Sequence, residues 1–107
     1  MSSIRFAINR ISAPRIPFDE FTALCRRLGV EAIEIRNDLQ GVELVDGTPA
    51  ATVGAAAKAA GLAIRSINAL QRFEQFDDAR RAEAAALIRY AVESGTQALV
   101  LCPTNSR

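Results

Sequence analysis

Three observations predict an α/β fold in which strands and helices alternate and the strands lie parallel. Three helix-like stretches each end in a glycine, and a short apolar run follows each within one to three residues: Gly29 before Ala32-Ile33-Glu34-Ile35, Gly61 before Ala63-Ile64, and Gly95 before Ala98-Leu99-Val100-Leu101. These units recur about every thirty residues, the length that a βαβ unit occupies. No hairpin signal joins one strand to the next, so the strands need helical crossovers and pair in parallel.

The elements follow in order. The first strand is expected near 4 to 8, in Ile4-Arg5-Phe6-Ala7-Ile8. A helix near 17 to 28 comes next: Pro17 suits a first helical turn, and Asp19 and Glu20 complement the positive end of the helix dipole. Phe18, Phe21, Leu24, Cys25 and Leu28 recur there at helical spacing. Strand two is expected near 31 to 36. The second helix, near 49 to 60, is alanine-rich, with Thr48 or Thr52 as candidate caps and small side chains suited to close packing. Strand three is expected near 63 to 68. The third helix, near 77 to 94, opens on Asp77-Asp78 and carries Ala84, Leu87, Ile88, Ala91 and Val92 on one stripe. Strand four, near 98 to 102, closes the series. Glycine supplies the left-handed residue that stops each helix.

Composition bounds the possibilities. The chain has 107 residues, well short of the roughly 250 that eight βα units occupy. Half of it is hydrophobic and 23% is charged, with a formal net charge of +1, which gives no pull toward nucleic acid or a membrane surface. No apolar stretch approaches a membrane span and the start lacks a secretory pattern, so a cytoplasmic protein is expected. Cys25 and Cys102 stand in apolar settings and read as buried, unpaired thiols. The chain contains no histidine, which removes Ser-His-Asp, Cys-His and histidine-metal chemistry from these residues. Neither a dinucleotide-binding nor a P-loop glycine pattern follows a strand.

The polar residues inside the strands point to a site. Parallel strands covered on both faces read as continuous apolar runs, whereas strand two alternates. Ile33 and Ile35 share one face, and Glu34 and Arg36 the other. With the isoleucines toward the helices, Glu34 and Arg36 face a barrel interior or sheet crevice. The same parity brings Asn9, Ser66, Asn68 and Cys102 to that side. Ligands bind at the carboxyl ends of such strands, so Asn9, Glu34, Arg36 and Asn68 are the candidate substrate-binding residues. Arg10, Ser12, Asp38, Gln71, Arg72, Glu74 and Asn105 would surround the mouth. An internal ion pair that only stabilises the layer is the competing reading of Glu34 and Arg36. A carboxylate metal site drawn from Glu34, Asp38, Glu74, Asp77 and Asp78 is also open, although Asp77 and Asp78 suit a helix start better.

The strings Arg5-Phe6-Ala7-Ile8-Asn9, Glu31-Ala32-Ile33-Glu34-Ile35-Arg36, Ser66-Ile67-Asn68-Ala69-Leu70 and Ala98-Leu99-Val100-Leu101-Cys102-Pro103 resemble the first four strands of xylose isomerase-like TIM-barrel proteins. Within that superfamily they are most similar to sugar isomerases and epimerases of the 2-keto-myo-inositol dehydratase/isomerase kind. The resemblance implies that residues 1–107 are the N-terminal half of a TIM-barrel domain, a partial barrel of about four strands and three helices. It further implies proton transfer next to a carbonyl on a sugar or polyol, aided by a divalent metal (Mn, Mg, Zn or Co) in the complete enzyme. The metal ligands of such enzymes come from strands five to eight, so no metal is expected on this chain and the catalytic residues are not assigned. Arg10 stands after Asn9 where an acidic residue is frequent in the relatives. Three expectations follow: an enzyme fragment inactive alone and pairing with a C-terminal half, a half barrel that self-associates through the edges of strands one and four, or a non-enzymatic α/β interaction module.

Overall fold

A computed structural model describes residues 5–104. Its order is β1 (Ala7–Asn9), a 3-10 turn (Arg10–Ser12), α1 (Phe18–Arg27), β2 (Ala32–Arg36), α2 (Ala50–Ala59), β3 (Ala63–Gln71), α3 (Asp78–Ser94) and β4 (Leu99–Cys102). The four strands form one sheet in the order β1-β2-β3-β4, every pair parallel. The chain is therefore an α/β unit of four parallel strands and three helices, as the alternating pattern predicts. Ile4, assigned to the first strand, lies outside the described residues, and β1 runs from Ala7 to Asn9.

Each helix stops where the glycines predict. Gly29, Gly61 and Gly95 have φ of 73°, 73° and 75°, a left-handed conformation that releases the chain toward the next strand. At the other ends, Asp77 caps α3 by accepting the Arg80 N–H at 2.8 Å. The start of α2 corrects the threonine expectation: Pro49 is the cap residue and no side chain bonds there. Its φ of −58° sets the first turn, and its carbonyl accepts the N–H groups of Thr52 and Val53. Thr48 instead gives its N–H to Asp46.

The core lies between the sheet and the helices. Ile33, Ile35, Ile64 and Ile67 point there from β2 and β3, meeting Phe21 and Cys25 of α1, Val53 and Ala57 of α2, and Leu87 of α3. Each isoleucine so buried contributes about 1.5–3 kcal/mol relative to an exposed one. Between Ile33 and Glu34 the register shifts: Ile33 pairs with Ile64 but Glu34 with Ser66, leaving Arg65 as an extra residue. Arg65 is exposed and donates to Gln97 at 2.6 Å.

Two helices approach closely at Gly54. A Cβ there would lie 2.4 Å from the Ser94 carbonyl oxygen of α3, so only glycine fits. The stripe assigned to α3 is only partly covered. Leu87 is buried and Ala84 and Ala91 pack on the core, but Ile88 is 55% and Val92 76% exposed. No described element covers these two side chains. Leu101 of β4 is likewise 51% exposed, and Phe6 before β1 is 66% exposed, whereas Leu99 packs against the core. No helix among the described residues is long and apolar enough to cross a membrane.

Candidate functional site

The parallel register sets side chains from three strands in a row. Asn9 pairs with Glu34, Glu34 with Ser66, and Arg36 with Asn68, all on the face opposite the buried isoleucines. The Asn9 amide nitrogen donates to one Glu34 oxygen, and the Ser66 hydroxyl donates to the other at 2.5 Å. The carboxylate is thus held by two donors, one from each neighbouring strand. The Asn9 amide oxygen accepts the Ile11 N–H at 2.8 Å, which fixes the orientation of the amide and turns its nitrogen toward Glu34.

Arg36 extends the row toward the carboxyl end. Its Nε and Nη2 donate to the two Asp38 oxygens at 2.8 and 2.7 Å, and its Nη1 reaches the Asn9 amide oxygen at 3.5 Å. The hydrogen bonds to Asp38 raise the Arg36 pKa further, outweighing partial burial, and the charges of Asp38 and Glu34 add to this. The same bonds hold the Asp38 carboxyl below its ordinary value. Asn68 contributes its backbone carbonyl, which accepts the Asn37 N–H at 3.1 Å.

Four residues depart from, or add to, the sequence expectation. Arg10 does not line the mouth. It is wholly buried, with both Glu43 oxygens at 2.7 and 3.0 Å, the carbonyls of Ala13 and Ile16 at 2.5 Å, and its guanidinium 4.8 Å from the centre of the Phe21 ring. Glu74 is turned to the segment after β4, where its carboxylate accepts the Thr104 N–H and hydroxyl. Asn37 was not legible as a site residue, yet its side-chain amide grips the N–H and carbonyl of Ala69 at 2.9 and 3.0 Å. It secures β3 beside the row. Cys102 is half-buried rather than buried, a free thiol within electrostatic reach of Arg36, while Cys25 is wholly buried and free. Ser12, Gln71 and Arg72 are exposed, and Asn105 lies outside the described residues.

The carboxylates do not gather. Among the described residues no three His, Cys, Asp or Glu side chains come close enough to share a metal ion. Glu34 already has a donor on each oxygen, Asp38 is engaged by Arg36 and Glu74 by Thr104. These residues therefore do not fit a divalent ion by themselves. What the row offers is a set of fixed hydrogen-bond acceptors and donors on one face of the sheet. A separate cavity of about 330 Å³ lies in the helical layer between the start of α1, the β2–α2 loop and α2, with Phe18, Val42, Asp46 and Val53 among its walls. It does not include Asn9, Glu34, Arg36 or Asn68.

No family model and no curated protein matches this chain. Solved structures do. A xylose isomerase domain containing protein from Salmonella typhimurium is 36% identical, with a TM-score of 0.90 over 95% of this chain and 38% of its own. A xylose isomerase-like TIM barrel/4-hydroxyphenylpyruvate dioxygenase fusion protein matches with a TM-score of 0.70 at 22% identity, over 94% of this chain and 16% of its own. A protein from Sinorhizobium meliloti matches with a TM-score of 0.71 at 22% identity, over 95% of this chain and 38% of its own. Two of these structural neighbours are thus described as xylose isomerase domain or xylose isomerase-like TIM-barrel proteins, and this chain spans about 38% of the length of the Salmonella protein.

Proposed function

We propose that these residues are the N-terminal part of a sugar or polyol isomerase or epimerase barrel, and that the row Asn9, Glu34, Arg36 and Asn68 forms the substrate side of its pocket. The observation that carries this reading is the Glu34 carboxylate, held by Asn9 and Ser66 on the sheet face opposite the buried isoleucines, beside the carboxyl end of β1. A carboxylate fixed in that way accepts hydrogen bonds from substrate hydroxyls without reorganising, and the adjacent guanidinium of Arg36 donates to a carbonyl or hydroxyl oxygen. Proton transfer next to the carbonyl, and the ligands of a divalent metal, fall to the remaining strands of the barrel. Among such activities the 2-keto-myo-inositol dehydratase/isomerase kind is the finer choice, on the resemblance of the strand sequences. The free thiols of Cys25 and Cys102 suit a reducing, cytoplasmic setting.

The test is a chimera in which this chain is joined to the remaining C-terminal part of the Salmonella relative. Incubated with keto sugars and inososes in heavy water, it should exchange the proton next to the carbonyl in a metal-dependent manner. Glu34→Gln should abolish exchange with little change in melting temperature. Unchanged exchange with lower stability would assign Glu34 the purely structural role of tying β1 and β3 to β2 through Asn9 and Ser66.

A second reading is favoured by a specific observation: Phe6 and Leu101 are exposed at the two free sheet edges. Four parallel strands with two open edges can pair with a second copy, and light scattering of the chain alone would show a dimer. A well-folded monomer that does not pair with a separately made C-terminal half of the Salmonella relative would leave the non-enzymatic interaction module.

A further inference from the structure

Charged residues are almost never fully buried unless paired, and burial of a guanidinium demands a partner for nearly every donor. Arg10 meets that demand. Glu43, 33 positions downstream and itself 2% exposed, takes Nε and Nη2 in a forked pair, while Nη1 and Nη2 also reach the carbonyls of Ala13 and Ile16. Phe21 of α1 stacks beneath the guanidinium. One side chain thereby ties the whole β1–α1 connection, residues 10–17, to the β2–α2 loop.

Asn9 stands at the first residue before that connection, and its amide is oriented by the N–H of Ile11, the residue after Arg10. The Glu34 carboxylate only accepts, so the amide nitrogen must face it, and the amide is held in that orientation by the Ile11 N–H on its oxygen at 2.8 Å, with Arg36 Nη1 farther off at 3.5 Å. The 3-10 turn that presents this N–H is a single turn of three residues, too short to hold itself. Its position is set from below by Arg10. Resting on the reading of Glu34 as the pocket carboxylate, we infer that Arg10 and Glu43 form a positioning clamp that turns the Asn9 amide nitrogen onto Glu34. Neither residue touches substrate. Their effect on the pocket passes through Ile11 and Asn9.

The clamp is testable without any catalytic assay. In the intact 107-residue chain, the Asn9 side-chain NH2 is identified by nitrogen-15 NMR as the pair of signals lost in Asn9→Asp, and its exchange with water is measured. Glu43→Gln, which keeps the shape but cannot accept both arms of the fork, should speed that exchange about tenfold or more. The backbone amides of β2 and β3 should keep their protection. The paired replacement Arg10→Met with Glu43→Leu removes the charges together, so the core is not left with one unpaired ion, and should show the same loss at Asn9. Arg10→Lys should fail to restore it, because an ammonium lacks the planar fork. Asn9 exchange unchanged in folded Glu43→Gln and in the folded double variant would overturn the clamp. In the chimera, loss of Asn9 protection without loss of sugar turnover would leave the clamp standing and instead remove Asn9 from the pocket.

Discussion

Gly54 is where sequence preference and packing make opposite predictions, so its replacement by alanine is informative. Glycine inside a helix costs about 1 kcal/mol relative to alanine, and on propensity alone Gly54→Ala stabilises α2 by that amount. Packing opposes it. The new Cβ would stand 2.4 Å from the Ser94 carbonyl oxygen, 2.9 Å from its carbon and 3.0 Å from its Cα, and ordinary contact begins at 3.4 Å. The obstacle is backbone, which no rotamer change relieves, so α2 and α3 must separate. Overpacking of this kind costs typically about 1–3 kcal/mol, and with backbone on the far side the upper half of that range applies. After the propensity gain, a net loss of about 1–2 kcal/mol remains, which lowers the melting temperature by about 5–15 °C in a chain of this size. Circular dichroism melts of the parent and variant measure it, with Ala51→Gly at an exposed site of the same helix as a control for propensity alone. Ser94→Ala should not rescue Gly54→Ala, since the clash is with main-chain atoms. A variant that melts at or above the parent would refute the close approach.

Further outcomes follow from other residues. Tyr90 is the only tyrosine, and burial raises its pKa, with the charges of Glu43 and Asp46 adding to this. A group raised in the folded state stabilises it below the unfolded value and loses that contribution above it, so stability should decline once pH passes about 10, where unfolded tyrosine ionises. Phenolate absorbance should rise only with unfolding. Asp38 runs the other way: its depressed pKa makes its pairing with Arg36 persist until pH falls below the ordinary aspartate range, as a carbon-13 titration of that carboxyl would show. Because Asp38 is half exposed, the stability at stake is small. Leu101→Glu should reduce any concentration-dependent self-association seen by light scattering while leaving the fold intact, because the side chain it replaces is already 51% exposed.

The fold was legible because each of its signals is local. A glycine that stops a helix and the apolar run after it need no knowledge of the rest of the chain, and the three helices lie within one or two residues of expectation. Parity within one strand was equally local, and it placed Glu34 and Arg36 on the face opposite Ile33 and Ile35. What was not legible depends on partners far along the chain. An arginine directly after a strand reads as a loop cation, and only the arrival of Glu43 makes its burial tolerable. Asn37 looks like a turn residue until β3 brings the Ala69 peptide within reach. The α3 stripe was legible as apolar, but the pattern does not say which neighbour covers which part, so Ile88 and Val92 were grouped with residues that are buried.

The extra residue at Arg65 has a consequence for charge. Had the two strands run on without it, the residue beside Glu34 would be Arg65, and a guanidinium would stand against the carboxylate. The one-residue offset sends that arginine out to Gln97 and seats a serine instead, so Glu34 keeps a neutral neighbour on that side. The electrostatic character of the row is in this sense written in the length of a strand as much as in the identity of its side chains. Deleting Ser66 alone would bring Arg65 beside Glu34, exchange a hydroxyl for a cation and convert an acceptor of hydrogen bonds into half of a salt bridge.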